Sequence, residues 1–74
     1  MKVLNYKVYL QKAEEGGFIV SAPSLPGCVT QGETKEEALA MVKDAVEAYI
    51  ASLKKHGEPI PEDTAEVEKV TVSV

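Results

Sequence analysis

Thr34-Lys35-Glu36-Glu37-Ala38-Leu39, continued by Val42, Ala45, Val46, Tyr49, Ile50 and Leu53, is the stretch on which the fold turns. Thr34 and Glu37 read as a capping box. The Thr34 hydroxyl is placed to accept from the Glu37 amide, and the Glu37 carboxylate to reach back to the Thr34 amide. Glu36 and Glu37 put negative charge at the positive end of the helix dipole. The apolar residues recur at spacings of three and four, which predicts one buried stripe on a helix. The helix runs to about Lys55, roughly 30 Å at the usual rise per residue. Lys54, Lys55 and His56 stand where cations favour the carbonyl end, and Gly57 is the expected left-handed terminator.

Upstream the period changes. Leu4, Tyr6, Val8 and Leu10 alternate with Asn5, Lys7, Tyr9 and Gln11, the pattern of a half-buried strand over about Val3 to Lys12. Ala13-Glu14-Glu15-Gly16-Gly17 makes a turn whose paired glycines allow positive φ. Phe18-Ile19-Val20-Ser21-Ala22 returns as the second strand of a hairpin. Pro23-Ser24-Leu25-Pro26-Gly27 then breaks the chain, because each proline removes a backbone donor. Cys28-Val29-Thr30-Gln31 resumes as a short third strand, ended by Gly32 and Glu33.

Downstream, Glu58-Pro59-Ile60-Pro61-Glu62-Asp63-Thr64 reads as an extended surface crossing. Lys69-Val70-Thr71-Val72-Ser73-Val74, preceded by Val67, alternates again and predicts a fourth strand with Val70, Val72 and Val74 on one face. The order is β-β-β-α-β in a single domain, residues 1–74. It predicts an α+β, two-layer α/β sandwich with a small, mostly antiparallel sheet under one long helix. One helix cannot cover both faces of that sheet. Val3, Tyr9 and Ile19 lie on the second face, which is expected to be buried against another subunit.

A chain of 74 residues is marginal alone and usually needs a staple. Cys28 is the only cysteine, so no disulfide forms within the chain, and Cys28 with His56 is too sparse a set for a tetrahedral metal site. Self-association is the staple that remains. The net charge is −4, from 12 acidic and 8 basic side chains, and every basic residue is lysine. That balance suits a basic partner better than phosphate-rich nucleic acid. The opening residues lack a signal-peptide core, and no stretch is long enough to span a bilayer. The free cysteine fits a reducing compartment, which makes the cytoplasm the expected location.

The residues offer no assembled chemistry. Cys28 falls in a strand and His56 at a helix end, with nothing in the spacing to join them as nucleophile and base. The acids cluster in turns, the helix start and the tail, where solvated surface or an acidic docking rim explains them. No phosphate-binding glycine loop is present. The Pro23–Gly27 segment reads equally as a structural corner with Leu25 tucked inward or as a rigid contact loop presenting Leu25.

Gly16-Gly17-Phe18, the run from Pro23 to Ala38 that contains Leu25-Pro26-Gly27-Cys28-Val29-Thr30-Gln31-Gly32, and Gly57-Glu58-Pro59-Ile60-Pro61 together resemble the HicB-like antitoxins of bacterial toxin–antitoxin pairs. The resemblance spans nearly the whole chain. It implies a partial ribonuclease-H-like fold without that enzyme's catalytic acids; indeed residues 1–12 contain no acid where such a fold would want its first. It further implies a non-enzymatic protein, without cofactor, that binds and masks a HicA-type toxin, a small basic mRNA-cleaving protein, and that forms dimers or tetramers. A solitary, self-assembling module without a toxin is the alternative. Many members carry a C-terminal DNA-binding segment; the tail here resembles none, so direct DNA binding is not expected. Many also have Asp where Ser24 stands. The expected partner contacts are Glu14, Glu15 and Glu33 through charge, and Leu25 as an apolar anchor.

Overall fold

The computed structural model describes residues 4–74. Three strands, β1 (Tyr9–Lys12), β2 (Phe18–Ser21) and β3 (Val29–Gly32), form an antiparallel sheet in the order β1-β2-β3, and one helix, α1 (Lys35–Lys55), packs across it. Residues 4–8 lead into β1 in non-helical form without ladder pairing, so the first strand is shorter than its alternation predicts. Val3 lies outside the described residues.

Period two does its work on the face under the helix. Leu10, Val20 and Thr30 stand in one row of the register, and Val20 is completely buried. Val20 packs with Ala38 and Val42 of α1, flanked by Val8, Leu10, Phe18 and Val46. A second cluster joins Ala22, Leu25 and Cys28 to Tyr6, Ala45, Tyr49 and Ile50, with Val8 and Val46 touching both. The helix stripe is therefore as predicted, except that Leu39 is 37% exposed at its margin.

The Pro23–Gly27 segment is a corner. The Ala22 amide donates to the Cys28 carbonyl, the Leu25 amide to Ala22 and the Cys28 amide to Leu25, each at 3.0 Å. These bonds fold Leu25 inward, where it is fully buried. Of the two readings of this segment the inward one holds; Leu25 has no exposed surface with which to anchor a partner.

The fourth strand is not formed. Residues 58–74 carry no secondary structure, and Val70 and Val72 remain 82% and 73% exposed. Alternation alone makes a segment compatible with a sheet; the ladder also needs a neighbour, and none of the described strands pairs with it. The start of the tail is nevertheless fixed. The Tyr6 hydroxyl donates to the Pro61 carbonyl at 2.6 Å, and the Ser24 hydroxyl to Asp63 Oδ1 at 2.8 Å. Asp63 Oδ2 accepts from both the Lys7 amide and Lys7 Nζ, at 3.0 and 3.2 Å. Ser24 is thus held by an acid of the tail.

Because the end of the chain stays out, the molecule is extended. Its radius of gyration is 14.2 Å, against roughly 11 Å for a compact domain of this length. Its accessible surface is 6171 Å², against something on the order of 4,400 Å² for a compact monomer of this mass.

Candidate functional site

A broad concavity lies where three local structures meet: the β1–β2 turn, the end of β3 and the first turn of α1. The turn is closed by the Ala13 amide donating to Gly17 and the Gly16 amide to Ala13, at 3.0 and 3.1 Å. Gly16 and Gly17 take φ of 103° and 77°, which the paired glycines were read to supply. A Cβ on Gly17 would stand 2.7 Å from the Gly32 carbonyl oxygen. Gly32 in turn abuts the helix: a Cβ there would lie 2.6 Å from the Ala38 nitrogen and 2.9 Å from its Cα. Turn, strand and helix start are therefore stacked glycine against backbone.

That stacking fixes a cleft of about 660 Å³ whose walls include Glu15, Phe18, Gln31, Glu33, Glu37 and Met41. Its three charged side chains are all glutamates, and no lysine lines it. Glu37 is placed by the helix cap. Its amide donates to Thr34 Oγ1 at 3.0 Å, as the capping box predicts. Its carboxylate differs from expectation, accepting instead from the Glu33 amide at 3.4 Å.

Of the predicted contact residues, Glu15 and Glu33 come together on this cleft, and Glu14 is exposed beside them on the turn. Leu25 does not join them. Glu37 and Gly32 escaped the sequence reading as site residues; their only signal was the cap motif and a glycine taken for a strand terminator. Cys28 is buried in the corner, where desolvation pushes its thiol above the usual range, while His56 is exposed and contacts the Ser52 carbonyl through Nδ1 at 2.8 Å. The two share no site. Among the described residues no helix is long and apolar enough to cross a membrane.

Sheet, helix and cleft together define a small α+β domain whose cleft is lined, among charged residues, by glutamates alone. Residues 6–73 match the family model for the HicB-like antitoxin of bacterial toxin–antitoxin systems. A UPF0150 protein of Thermoplasma acidophilum is 56% identical over 63 residues, covering 85% of this chain and 91% of its own length. A UPF0150 protein of Synechocystis is 37% identical over 73 residues, covering 99% of this chain and 92% of its own. Antitoxin HicB 1 of Photorhabdus laumondii is 43% identical over 61 residues, 82% of this chain but 39% of that antitoxin. The chain belongs to the HicB-like antitoxin family.

Proposed function

We propose that this protein is an antitoxin that binds and masks a HicA-type mRNA-cleaving toxin, and that the glutamate-lined cleft is its contact surface. The observation that carries this is the cleft edged by Glu15, Glu33 and Glu37 with no cation among its lining residues. Complementary charge of that kind steers association with a basic partner and fixes its orientation. Glu14, exposed on the same turn, extends the anionic rim. The role is binding rather than catalysis: family membership supports it, and so does the separation of Cys28 from His56. It is exercised in the cytoplasm, by a homo-oligomer, without direct contact to DNA. A partial ribonuclease-H-like arrangement is part of the same reading, with the tail as its missing strand.

The test is co-expression with a small basic protein encoded beside this chain. The two should co-purify, and RNA cleavage by the partner should be suppressed. Glu15→Lys with Glu33→Lys should weaken the complex by roughly ten- to a hundredfold at low salt, with a smaller effect at high salt. Undiminished suppression by that double variant would remove the cleft from the interface.

The second reading is a solitary self-assembling module. It is kept open by relatives such as the UPF0150 proteins of Thermoplasma acidophilum and Synechocystis, 91% and 92% of whose lengths align with this chain and whose names assign no toxin. Absence of any basic partner in the co-expression, with self-association intact, would select it.

A further inference from the structure

β1 is an edge strand, and the direction of its free hydrogen-bonding groups is settled by the ladder. The Ala13 amide donates to Gly17, so alternation turns the backbone groups of Tyr9 and Gln11 toward β2. Those of Val8, Leu10 and Lys12 then face away from the sheet, a template for one more strand. Beside this edge runs an apolar groove between the β1 side and α1. It consists of two adjoining hollows of about 250 and 290 Å³, both lined by Tyr6, Val46 and Glu47. Val8 and Val42 line the first, and Leu4 and Ile50 the second. A strand laid on β1 would place every second side chain over that groove.

The chain contains a segment with that alternation, which pairs with none of the described strands. Val70, Val72 and Val74 lie on one face of an alternating segment, all strongly exposed. The segment cannot readily serve its own groove. Glu66 is led to the face of the sheet away from the helix, its carbonyl 3.5 Å from the hydroxyl of Tyr9, whereas the groove opens on the helix side. The surface in excess of a compact monomer is on the order of 1,700 Å², ample for the roughly 800 Å² per partner of a standard interface. Both signs of charge meet there: Glu66, Glu68 and Lys69 precede the valines, and Lys43, Lys54 and Glu47 stand on the groove's walls, so opposite charges can pair across the contact.

We infer that residues 67–74 form the fourth strand in trans: the tail of each chain adds to the free edge of β1 of a second copy and inserts Val70, Val72 and Val74 into that copy's groove. This deepens the self-association reading above by giving it a surface and a mechanism. The exchange is reciprocal, as a two-fold pair requires, and it completes in the dimer the four-stranded sheet that the single chain leaves open.

The experiment compares the oligomeric state of three chains by sedimentation. The unaltered protein should be a dimer. Val70→Glu with Val72→Glu disables the tail and should raise the dimer dissociation constant roughly a hundredfold or more. Lys12→Pro disables the edge, because it removes an outward donor that the internal ladder does not use, and should do the same while circular dichroism stays unchanged. An equimolar mixture of the two variants should dimerise more tightly than either variant alone and less tightly than the unaltered protein, since one sound tail meets one sound edge while the reciprocal contact stays broken. A dimer untouched by either variant would overturn the strand exchange but leave self-association standing. An unaltered protein that is monomeric at every concentration would overturn both. Variants that weaken alone and fail to complement would place the strand on its own chain and overturn the exchange.

Discussion

Gly32→Ala should be among the most damaging single-methyl changes in this protein, and the reason is geometric rather than conformational. Gly32 does not occupy the left-handed region, so alanine meets no backbone penalty there. What it meets is the helix: Ala38 N at 2.6 Å, Ala38 Cα at 2.9 Å and the Glu37 carbonyl carbon at 3.0 Å. All three are backbone atoms of the first turn of α1, so no side chain can swing aside. Either β3 or the helix start must move by several tenths of an ångström, which loosens the packing of Ala38 against Val20. Overpacking of this kind costs about 1–3 kcal/mol. A domain of this size has only about 4–11 kcal/mol in total, and each kcal/mol is worth about 4–8 °C. A fall of roughly 10–20 °C in melting temperature is expected. Gly27→Ala is the matched control. Gly27 has φ of 81° but nothing within 4 Å of a Cβ, so it carries only the left-handed penalty of about 1–2 kcal/mol. Thermal and urea denaturation of both variants decides the matter. If Gly32→Ala melts no lower than Gly27→Ala, the glycine-to-helix contact does not hold the cleft together.

Two further outcomes follow from burial and from ionisation. Leu25→Ala should cost about 2–5 kcal/mol, as for a fully buried leucine, and lower the urea midpoint accordingly; a near-neutral result would mean the corner is not part of the core. Asp63 is held below the ordinary carboxylate range, chiefly by the Ser24 hydroxyl and then by the amide and ammonium of Lys7, against an opposing desolvation. A carboxyl whose folded pKa is depressed adds stability that is present above its unfolded value and lost as the pH falls through the folded one. Stability should therefore decline as acid takes the pH below about 4, and Asp63→Asn should flatten that limb in a series of urea titrations; identical acid profiles for the two proteins would contradict the assignment.

What could be read from the chain was what local chemistry decides. Thr34 and Glu37 are three positions apart, and a cap needs nothing further away. Gly16 and Gly17 close their own turn. Leu10, Val20 and Val42 declare their faces through period alone. The misjudged features depend on neighbours that sequence does not reveal. Val70 and Val72 alternate as a strand should, but pairing requires a neighbouring edge, and none of the described strands pairs with the tail. Leu25 between two prolines was balanced between surface and core, and three backbone bonds of the corner decide for the core. Gly32 read as a terminator, although its task is to let a helix approach. Of the four residues proposed as contacts, the three acids keep an exposed position and two of them share one cleft, while the aliphatic one is withdrawn into the interior.

The Asp63 carboxylate joins Lys7 to a residue 56 positions later, so it closes a ring out of nearly the entire polypeptide. Loops of that length are slow to close and are favoured only once the nearer contacts exist. The hairpin, the corner and the helix are all built from nearer neighbours and can assemble beforehand. This clasp is accordingly expected to close after those nearer contacts have formed. A protein arranged in this way can release its final dozen residues and offer them elsewhere while its body stays folded.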